Sequence, residues 1–142
     1  MATKRFRLRW RAISLMAALL MLTLGTLSGA RAQAAVSCSV SYTIVNQWDV
    51  GFQAEVVIRN TGSAAINGWT LSWAFPNGQT IYQLWNATYT QSGANVSARN
   101  LSWNATISPG GSQNLGFLAN WSGTNNKPTA FTLNGGACSV AP

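Results

Sequence analysis

The amino-acid sequence predicts an all-β fold, an antiparallel β-sandwich of the jelly-roll type, over residues 35–142 of the 142-residue chain. Apolar and polar residues alternate with a period of two in several short runs, as in strands that have one buried face. Turn-forming sequences rich in Asn, Gly and Pro separate these runs. No stretch of this region has convincing helical periodicity, and short strands with frequent turns are typical of sandwiches and barrels.

The predicted strands follow one another along the chain. The first two are the alternating runs CSVSYTI at Cys38–Ile44 and FQAEVVIRN at Phe52–Asn60. The clearest alternation is WTLSWAF at Trp69–Phe75, and two further short strands, QNLGFLAN and AFTLNG, lie near the C-terminus. The turns are predicted at NTGS (Asn60), NG (Asn67), PNG (Pro76), SPGG (Ser108), NNKP (Asn125) and NGG (Asn134).

Residues 1–34 have the composition of a secretory signal peptide. Five basic residues lie at the N-terminus, an apolar run covers Ala12–Leu27, and small residues follow, with an A-x-A sequence ending at Ala34. The apolar run is shorter than the roughly 20 residues of a spanning helix, which argues against a transmembrane anchor. We expect cleavage after Ala34, with Ala32 as the alternative, and a secreted, extracellular protein without a membrane segment after cleavage.

Removal of this leader changes the charge of the protein. The whole chain has a formal net charge of +7, but six of its nine Lys and Arg residues lie in the leader. The remaining region has three scattered cations, Arg59, Arg99 and Lys127, against Asp49 and Glu55. A nucleic-acid surface needs a cluster of Lys and Arg. We therefore expect no nucleic-acid partner and an uncharged ligand.

The two cysteines, Cys38 and Cys138, lie near the two ends of the predicted mature domain. In an oxidising extracellular compartment, an even pair indicates a disulfide. This bond would join the terminal strands, which suits a sandwich whose termini meet. A redox or metal-binding pair is disfavoured, because the chain has no C-x-x-C motif and no histidine.

The composition also argues against catalysis. Glycoside hydrolysis typically needs two suitably spaced carboxylates, and the predicted domain has only Asp49, in a turn-like DVG sequence, and Glu55. The lack of histidine excludes a Ser-His-Asp triad, a Cys-His pair and a histidine-ligated metal. We therefore expect a protein without enzymatic activity, catalytic residues, metal or cofactor.

Six tryptophans remain after the leader. Trp69 and Trp73 belong to the apolar set of their alternating strand and are predicted to lie in the core. Trp121, in NWSGTN, is not assigned to core or surface by its neighbours. The other three lie in polar, turn-rich sequence, where a large apolar side chain needs a different explanation.

Trp48, Trp85 and Trp103 lie near predicted strand ends, the last two in the near-repeats LWNAT and SWNAT. Alternation does not decide which way they point, but the interior of a small sandwich is already filled by other residues, so we predict that all three are exposed. Exposed apolar patches mark binding sites. Indole faces with neighbouring amides suit the C–H faces and hydroxyl rims of sugars. The Asn-x-Thr triplets of the repeats also fit glycosylation acceptors, but we interpret them as polar strand-end residues.

Several motifs, in order, resemble family 2 carbohydrate-binding modules of bacterial cellulases and xylanases: VNQWDVGF, NTGSAAINGWTLSWAFPNGQTI, QLWNATYTQSG, LSWNATISPGGSQNLGF and PTAFTLNG. The resemblance implies an antiparallel β-sandwich with a terminal disulfide and a planar row of exposed tryptophans that adsorbs to crystalline cellulose. Position by position, this tryptophan strip falls on Trp48, Trp85 and Trp103, and flanking polar contacts fall on Asn46 and Gln83.

Two features of the sequence bear on the ligand of such a module. Glu55 and Leu118 stand where relatives often have a polar contact, so the hydrogen-bonding rim implied by the resemblance differs at these two positions. Xylan-binding relatives usually present two tryptophans turned across each other, so three favour cellulose. Tryptophans two strands apart would stand about 10 Å apart, comparable with the repeat of two glucosyl units in a β-1,4-glucan.

We therefore predict that residues 35–142 are a secreted, monomeric, non-catalytic module that binds insoluble polysaccharide, cellulose in particular, with xylan and chitin as alternatives. Two other interpretations stay open. The chain is a piece of a modular glycoside hydrolase, or it is a wall-adhesion protein without selective affinity for insoluble glucan.

Overall fold

The computed structural model describes residues 36–142, so the leader predicted over residues 1–34 lies outside the described residues. Within the described range the chain forms twelve β-strands: β1 (Cys38–Gln47), β2 (Gly51–Asn60), β3 (Ile66–Asn67), β4 (Thr70–Ala74), β5 (Thr80–Trp85), β6 (Ala87–Ser92), β7 (Asn95–Asn100), β8 (Thr106–Ile107), β9 (Ser112–Asn120), β10 (Phe131–Leu133), β11 (Gly136–Ala137) and β12 (Ser139–Val140). This part of the chain contains no helix long and apolar enough to cross a membrane.

Two five-stranded sheets form the sandwich. Sheet I has the strand order β12-β1-β2-β9-β5, and sheet II has the order β11-β10-β4-β7-β6. Neighbouring strands are antiparallel, except for the short parallel pair of β1 and β12. β3 and β8 form a separate two-stranded sheet. The all-β antiparallel sandwich predicted from the sequence is confirmed.

The alternation of the sequence predicts β1, β2, β4, β9 and β10 but not β5, β6 and β7. In β5 the inward-facing residues Ile81 and Leu84 are three positions apart, which breaks the period of two. In β7 only Val96 and Ala98 are buried, and the remaining positions are polar or charged. Strands with so few apolar residues do not stand out from the intervening turns.

The core lies between the two sheets and is rich in aromatic rings. Trp73 of β4 stacks on Phe117 of β9, with ring centroids 6.0 Å apart and an interplanar angle of 22°. Phe117 also meets Phe52 of β2 edge to face, at 5.8 Å. Such aromatic pairs stabilise a core beyond the area that they bury. Trp69 is 1% exposed and Trp73 is 4% exposed, so the prediction that both lie in the core is confirmed.

A disulfide between Cys38 and Cys138 joins the ends of the domain, with the two Cα atoms 4.7 Å apart. Cys38 is the first residue of β1, and Cys138 lies between β11 of sheet II and β12 of sheet I. The predicted disulfide is therefore confirmed. In the chain-entropy model, a bond that closes a loop of this length stabilises the fold by about 4.7 kcal/mol.

Candidate functional site

The predicted site residues of β1 and β5 lie on the solvent-facing side of sheet I. Because cross-strand partners point to the same side of a sheet, the register defines rows of side chains across it. Three consecutive rows are Thr43–Glu55–Gly116–Trp85, Asn46–Gln53–Leu118–Gln83 and Gly51–Asn120–Thr80. Trp48, in the turn between β1 and β2, lies next to the third row. We call the surface made by these three rows and Trp48 the outer face.

Two β-bulges decide which side chains reach the outer face. The pairing register shifts between Ile44 and Asn46 in β1 and between Ile81 and Gln83 in β5. Ile44 and Ile81 pack against the core. Asn46 and Trp48 lie two and four residues after Ile44, and Gln83 and Trp85 lie two and four residues after Ile81. Strict alternation would therefore turn these four side chains toward the core as well. The extra residue in each strand reverses this direction, so all four side chains belong to the outer face.

Trp48 is 40% exposed, and its indole lies across Gly51 at the start of β2. The turn between them closes when the Trp48 N–H donates to the Gly51 carbonyl oxygen, at 2.9 Å. A Cβ atom at position 51 would lie 2.5 Å from Nε1 and 2.6 Å from Cε2 of the ring. Only glycine therefore leaves room for the indole against the backbone of the sheet.

Trp121, which the sequence does not assign, supports the turn that carries Trp48. Its indole Nε1–H donates to the carbonyl oxygens of Trp48, at 2.9 Å, and of Gly51, at 3.2 Å. Its backbone N–H donates to the carbonyl oxygen of Val50, at 3.0 Å. The ring itself is half-buried and packs against the core. Trp121 therefore bonds to both ends of the turn and is not one of the exposed rings.

Trp85 ends β5 and is half-buried, and not fully exposed as predicted, because its indole lies across Gly116 of the neighbouring strand β9. A Cβ at position 116 would meet Cε2 and Cζ2 of this ring and would lie 2.5 Å from its Nε1. Asn86 follows with a φ of 65°, a left-handed conformation that Asn adopts more readily than most residues. At this residue the chain leaves sheet I and enters β6 of sheet II.

Trp103 is 67% exposed and lies in the loop between β7 and β8. The next residue, Asn104, is only 1% exposed. Its Oδ1 accepts from the Leu101 N–H at 2.7 Å, and its Nδ2 donates to the Asn86 carbonyl oxygen at 2.6 Å. Its own carbonyl oxygen accepts from Nε1 of Trp69 at 2.8 Å. Asn104 therefore links the two near-repeats and anchors the Trp103 loop to the core.

This burial adds to the interpretation of the second Asn-x-Thr triplet as polar residues at a strand end. Asn104 lies two residues before β8, and its side chain is enclosed and hydrogen-bonded at both its oxygen and its nitrogen. A glycan cannot be attached to this nitrogen in the folded protein. The amide also has no surface left for a ligand, so the exposed side chains beside it in the loop are those of Ser102 and Trp103.

The glycines beneath the rings determine the spacing of Trp48 and Trp85. Gly51 pairs with Asn120, which lies four residues from Gly116 along β9. At about 3.4 Å per residue and about 4.8 Å between strands, the two glycines are roughly 14 Å apart. This distance exceeds the spacing of about 10 Å expected for two tryptophans two strands apart, because the rings are separated mainly along the strands.

The polar residues predicted to flank the tryptophans occupy the row between these two glycines. Asn46 and Gln83 are exposed and lie at opposite ends of that row, with Leu118 between them. Asn46 Oδ1 accepts from the Gln47 N–H at 3.0 Å, which leaves the amide NH₂ group free to point outward. The outer face thus combines aromatic rings with uncharged donors and acceptors.

One of the two acidic residues of the described chain lies on the same face. Glu55 is exposed in the row of Gly116 and Trp85, and its Oε1 accepts from Nδ2 of Asn114 at 3.1 Å. In residues 36–142, no group of three or more His, Cys, Asp or Glu side chains is arranged to hold a metal ion. A shallow trough of about 460 Å³ lies on the far side of sheet II, but its one aromatic residue, Trp73, is buried.

A β-sandwich whose solvent-facing sheet carries tryptophan rings beside uncharged amides, with Glu55 as the one acidic residue among its three rows, has the architecture of a carbohydrate-binding module. The chain belongs to family 2 of these modules: the family model described as "Cellulose binding domain" matches residues 38–138. The domain is a non-catalytic binding module, and the catalytic domains of its relatives lie outside the matched region.

Relatives and solved structures agree with this assignment. The chain is 49% identical to endoglucanase CelA of Streptomyces lividans over 117 residues, which are 82% of this chain and 25% of that protein. The chitin-binding domain of Chi18aC from Streptomyces coelicolor superposes with a TM-score of 0.58 at 34% identity, over 72% of this chain and 94% of that domain. The cellulose-binding family 2 domain from ScLPMO10C superposes with a TM-score of 0.54 at 33% identity, over 66% of this chain and 92% of that domain. The chain thus spans about a quarter of CelA.

Proposed function

We propose that this chain is a secreted module that adsorbs to crystalline cellulose through the tryptophan strip. The observation that carries the proposal is the support beneath the rings. The indoles of Trp48 and Trp85 lie across glycines of one sheet face, and Trp103 projects from a loop bonded to the turn after Trp85. Rings held against a sheet suit a flat array of sugar rings better than a bent single chain.

Stacking and hydrogen bonding divide the recognition of sugars between two kinds of side chain. Each indole stacks on the C–H face of a glucosyl ring, and we take about 1–3 kcal/mol per ring from the scale for base–aromatic stacking. Asn46 and Gln83 contact hydroxyl groups, because an uncharged amide both donates and accepts. Cellulose carries no charge, which fits a domain whose residues 36–142 contain two acidic and three basic side chains.

The length of the relatives supports a proposal for the biological role. The chain spans about a quarter of endoglucanase CelA, so we propose that modules of this kind hold a catalytic domain near its insoluble substrate. In this proposal, residues 1–34 direct secretion and are removed, and residues 35–142 act as an extracellular monomer. A wall-adhesion role remains the alternative if the protein has no selective affinity for glucan.

Chitin is the second candidate ligand. It is favoured by the likeness to the chitin-binding domain of Chi18aC, at 34% identity. Chitin and cellulose share β-1,4-linked rings with apolar faces, so the same indoles would stack on either. They differ in the acetamido group, for which Asn46, Gln53 and Gln83, in the row that contains Leu118, offer amide partners.

A parallel adsorption experiment tests the proposal and ranks the ligands. The protein lacking residues 1–34 is mixed with microcrystalline cellulose, chitin and xylan, and the unbound fraction is measured. Trp85→Ala should weaken adsorption to cellulose about tenfold, which corresponds to about 1.4 kcal/mol, and the double variant Trp85→Ala, Trp103→Ala should lose nearly all adsorption.

The matched control is Val140→Ala, which shortens an exposed apolar side chain on β12, at the opposite edge of sheet I. It should adsorb like the wild type. Added salt should have little effect, because stacking involves no ions to screen. Wild-type adsorption by a folded double variant would contradict the proposal, and stronger adsorption to chitin than to cellulose would favour the second candidate.

A further inference from the structure

We infer, on the basis of the proposed function, that Tyr82 is a fourth aromatic contact of the binding surface. It would stack on a polysaccharide chain that lies beside the one covered by the tryptophan strip. No sequence pattern singles out this residue, because it lies next to Gln83 in a strand that alternation does not predict. Its position in the structure provides the reason to assign it a role.

The bulge in β5 directs Tyr82 to the outer face. The register passes from Ile81, opposite Ala119, to Gln83, opposite Leu118. Tyr82 is therefore the extra residue, and it shares with Gln83 the position opposite Leu118. Its side chain is 50% exposed. The inward positions on either side of the bulge are taken by Ile81 and Leu84, which pack against the core.

The exposed apolar side chains of the described residues are concentrated around this face. Five of the six large ones belong to the outer face, its bulges, the β1–β2 turn or the Trp103 loop: Val45, Trp48, Val50, Tyr82 and Trp103. The sixth, Val140, lies on β12. Exposed apolar side chains concentrated in one region mark an interaction site, and Tyr82 adds an aromatic ring to this region on β5, the edge strand of sheet I.

The location of Tyr82 indicates what it would contact. The row of Leu118 lies between the rows that hold the two ring-supporting glycines, Gly51 and Gly116. Those glycines lie on β2 and β9, whereas Tyr82 lies one strand further out, on the edge strand β5. The Tyr82 backbone therefore lies to one side of the line that joins these two glycines, and we place its exposed ring on that side. A single glucan chain along that line would leave Tyr82 in solvent, whereas a flat crystal surface presents a neighbouring chain.

Adsorption of Tyr82 variants tests this inference. Tyr82→Thr removes the ring and retains a strand-favouring residue, and it should weaken adsorption to microcrystalline cellulose about fivefold, near the lower end of the range for one stacked ring. Tyr82→Phe retains the ring and should adsorb nearly as well as the wild type. Val140→Thr is the matched control for loss of an exposed apolar side chain, and it should behave like the wild type.

The outcomes separate this inference from the function on which it rests. If Tyr82→Thr adsorbs like the wild type while Trp85→Ala is weakened, Tyr82 is not a contact and the proposed function stands. If neither the wild type nor any variant adsorbs, the proposed function itself is wrong.

Chemical modification of the wild type provides a second test that does not depend on the folding of a variant. Tetranitromethane should nitrate Tyr82 in the free protein, and adsorption to cellulose should protect it. Peptide mass spectrometry measures both, with the buried Tyr42 and the half-buried Tyr89 as internal references. Equal nitration of Tyr82 in the free and adsorbed protein would overturn the inference.

Discussion

Gly116→Ala should weaken cellulose binding although it replaces no side chain that we propose to contact the ligand. Gly116 lies beneath the indole of Trp85, and a Cβ there would lie 2.5 Å from Nε1. Ordinary van der Waals contacts of a Cβ fall at 3.4–4 Å. The ring must therefore move away from the sheet by about 1 Å or tilt, which takes it out of the level at which we propose that it stacks on sugar.

Gly116→Ala should reduce the binding free energy more than it changes the free energy of unfolding. Displacement of one stacked ring should remove up to about 1–3 kcal/mol of binding free energy, or about five- to hundredfold in affinity. Alanine within a strand is favoured over glycine by roughly 0.5–1 kcal/mol, which offsets the packing lost when the ring moves. The free energy of unfolding should therefore change by less than about 1 kcal/mol.

Adsorption isotherms on microcrystalline cellulose and urea unfolding measure the two effects separately. The matched control is Gly136→Ala in β11 of sheet II, where the nearest atom to an added Cβ, the Leu133 carbonyl oxygen, is 3.5 Å away. Gly136→Ala should leave adsorption unchanged. Wild-type adsorption by Gly116→Ala, or an equal loss in both variants, would refute the role of the glycine as the support of Trp85.

Three further changes have expected outcomes. Trp121→Phe removes two hydrogen bonds to the turn that carries Trp48 and should weaken adsorption several-fold; in a Trp48→Ala background it should have no further effect on adsorption. Trp69→Ala should lower the free energy of unfolding by roughly 3–5 kcal/mol in a denaturant titration, far more than Trp85→Ala does. Burial raises the pKa of the Tyr42 phenol. The folded state therefore retains this proton where the unfolded chain loses it, and stability should fall above about pH 10. Tyr42→Phe should reduce that fall in unfolding experiments across this pH range. If the variant loses stability with pH as the wild type does, the attribution of the fall to the Tyr42 phenol is wrong.

The chemistry of the proposed tryptophan strip can be predicted from sequence, but the direction of its side chains cannot. Trp48 and Trp85 stand out because large apolar residues are surrounded by Asn and Gln. Counted from Ile44 and Ile81, however, strict alternation points both rings toward the core. The structure reverses that direction with one extra residue in each strand. A bulge depends on the register in which two strands pair, so neither strand alone reveals it, and for β5 the partner β9 is also distant in sequence.

The supports of the rings are also invisible to local patterns. Gly116 is an ordinary glycine in QNLGFLAN until the register pairs it with Trp85. Asn104 looks like the other exposed amides, yet it is 1% exposed and bonds to Asn86, eighteen residues earlier in the chain. Trp121 reaches the turn of Trp48 across a separation of 73 residues. Each role arises from a tertiary contact, which composition and alternation do not report.

These supports give the near-repeat of Trp and Asn a physical meaning. In SWNAT the tryptophan is the exposed residue, and the asparagine beside it is the buried one that holds the loop. In LWNAT the asparagine turns the chain from sheet I to sheet II and accepts the bond from Asn104. The two motifs thus stabilise each other. Because the rings rest on glycine and on loops held by hydrogen bonds, little freedom remains to be lost when they meet a surface. A rigid flat ligand is the partner for which such preorganisation gives the largest gain in affinity.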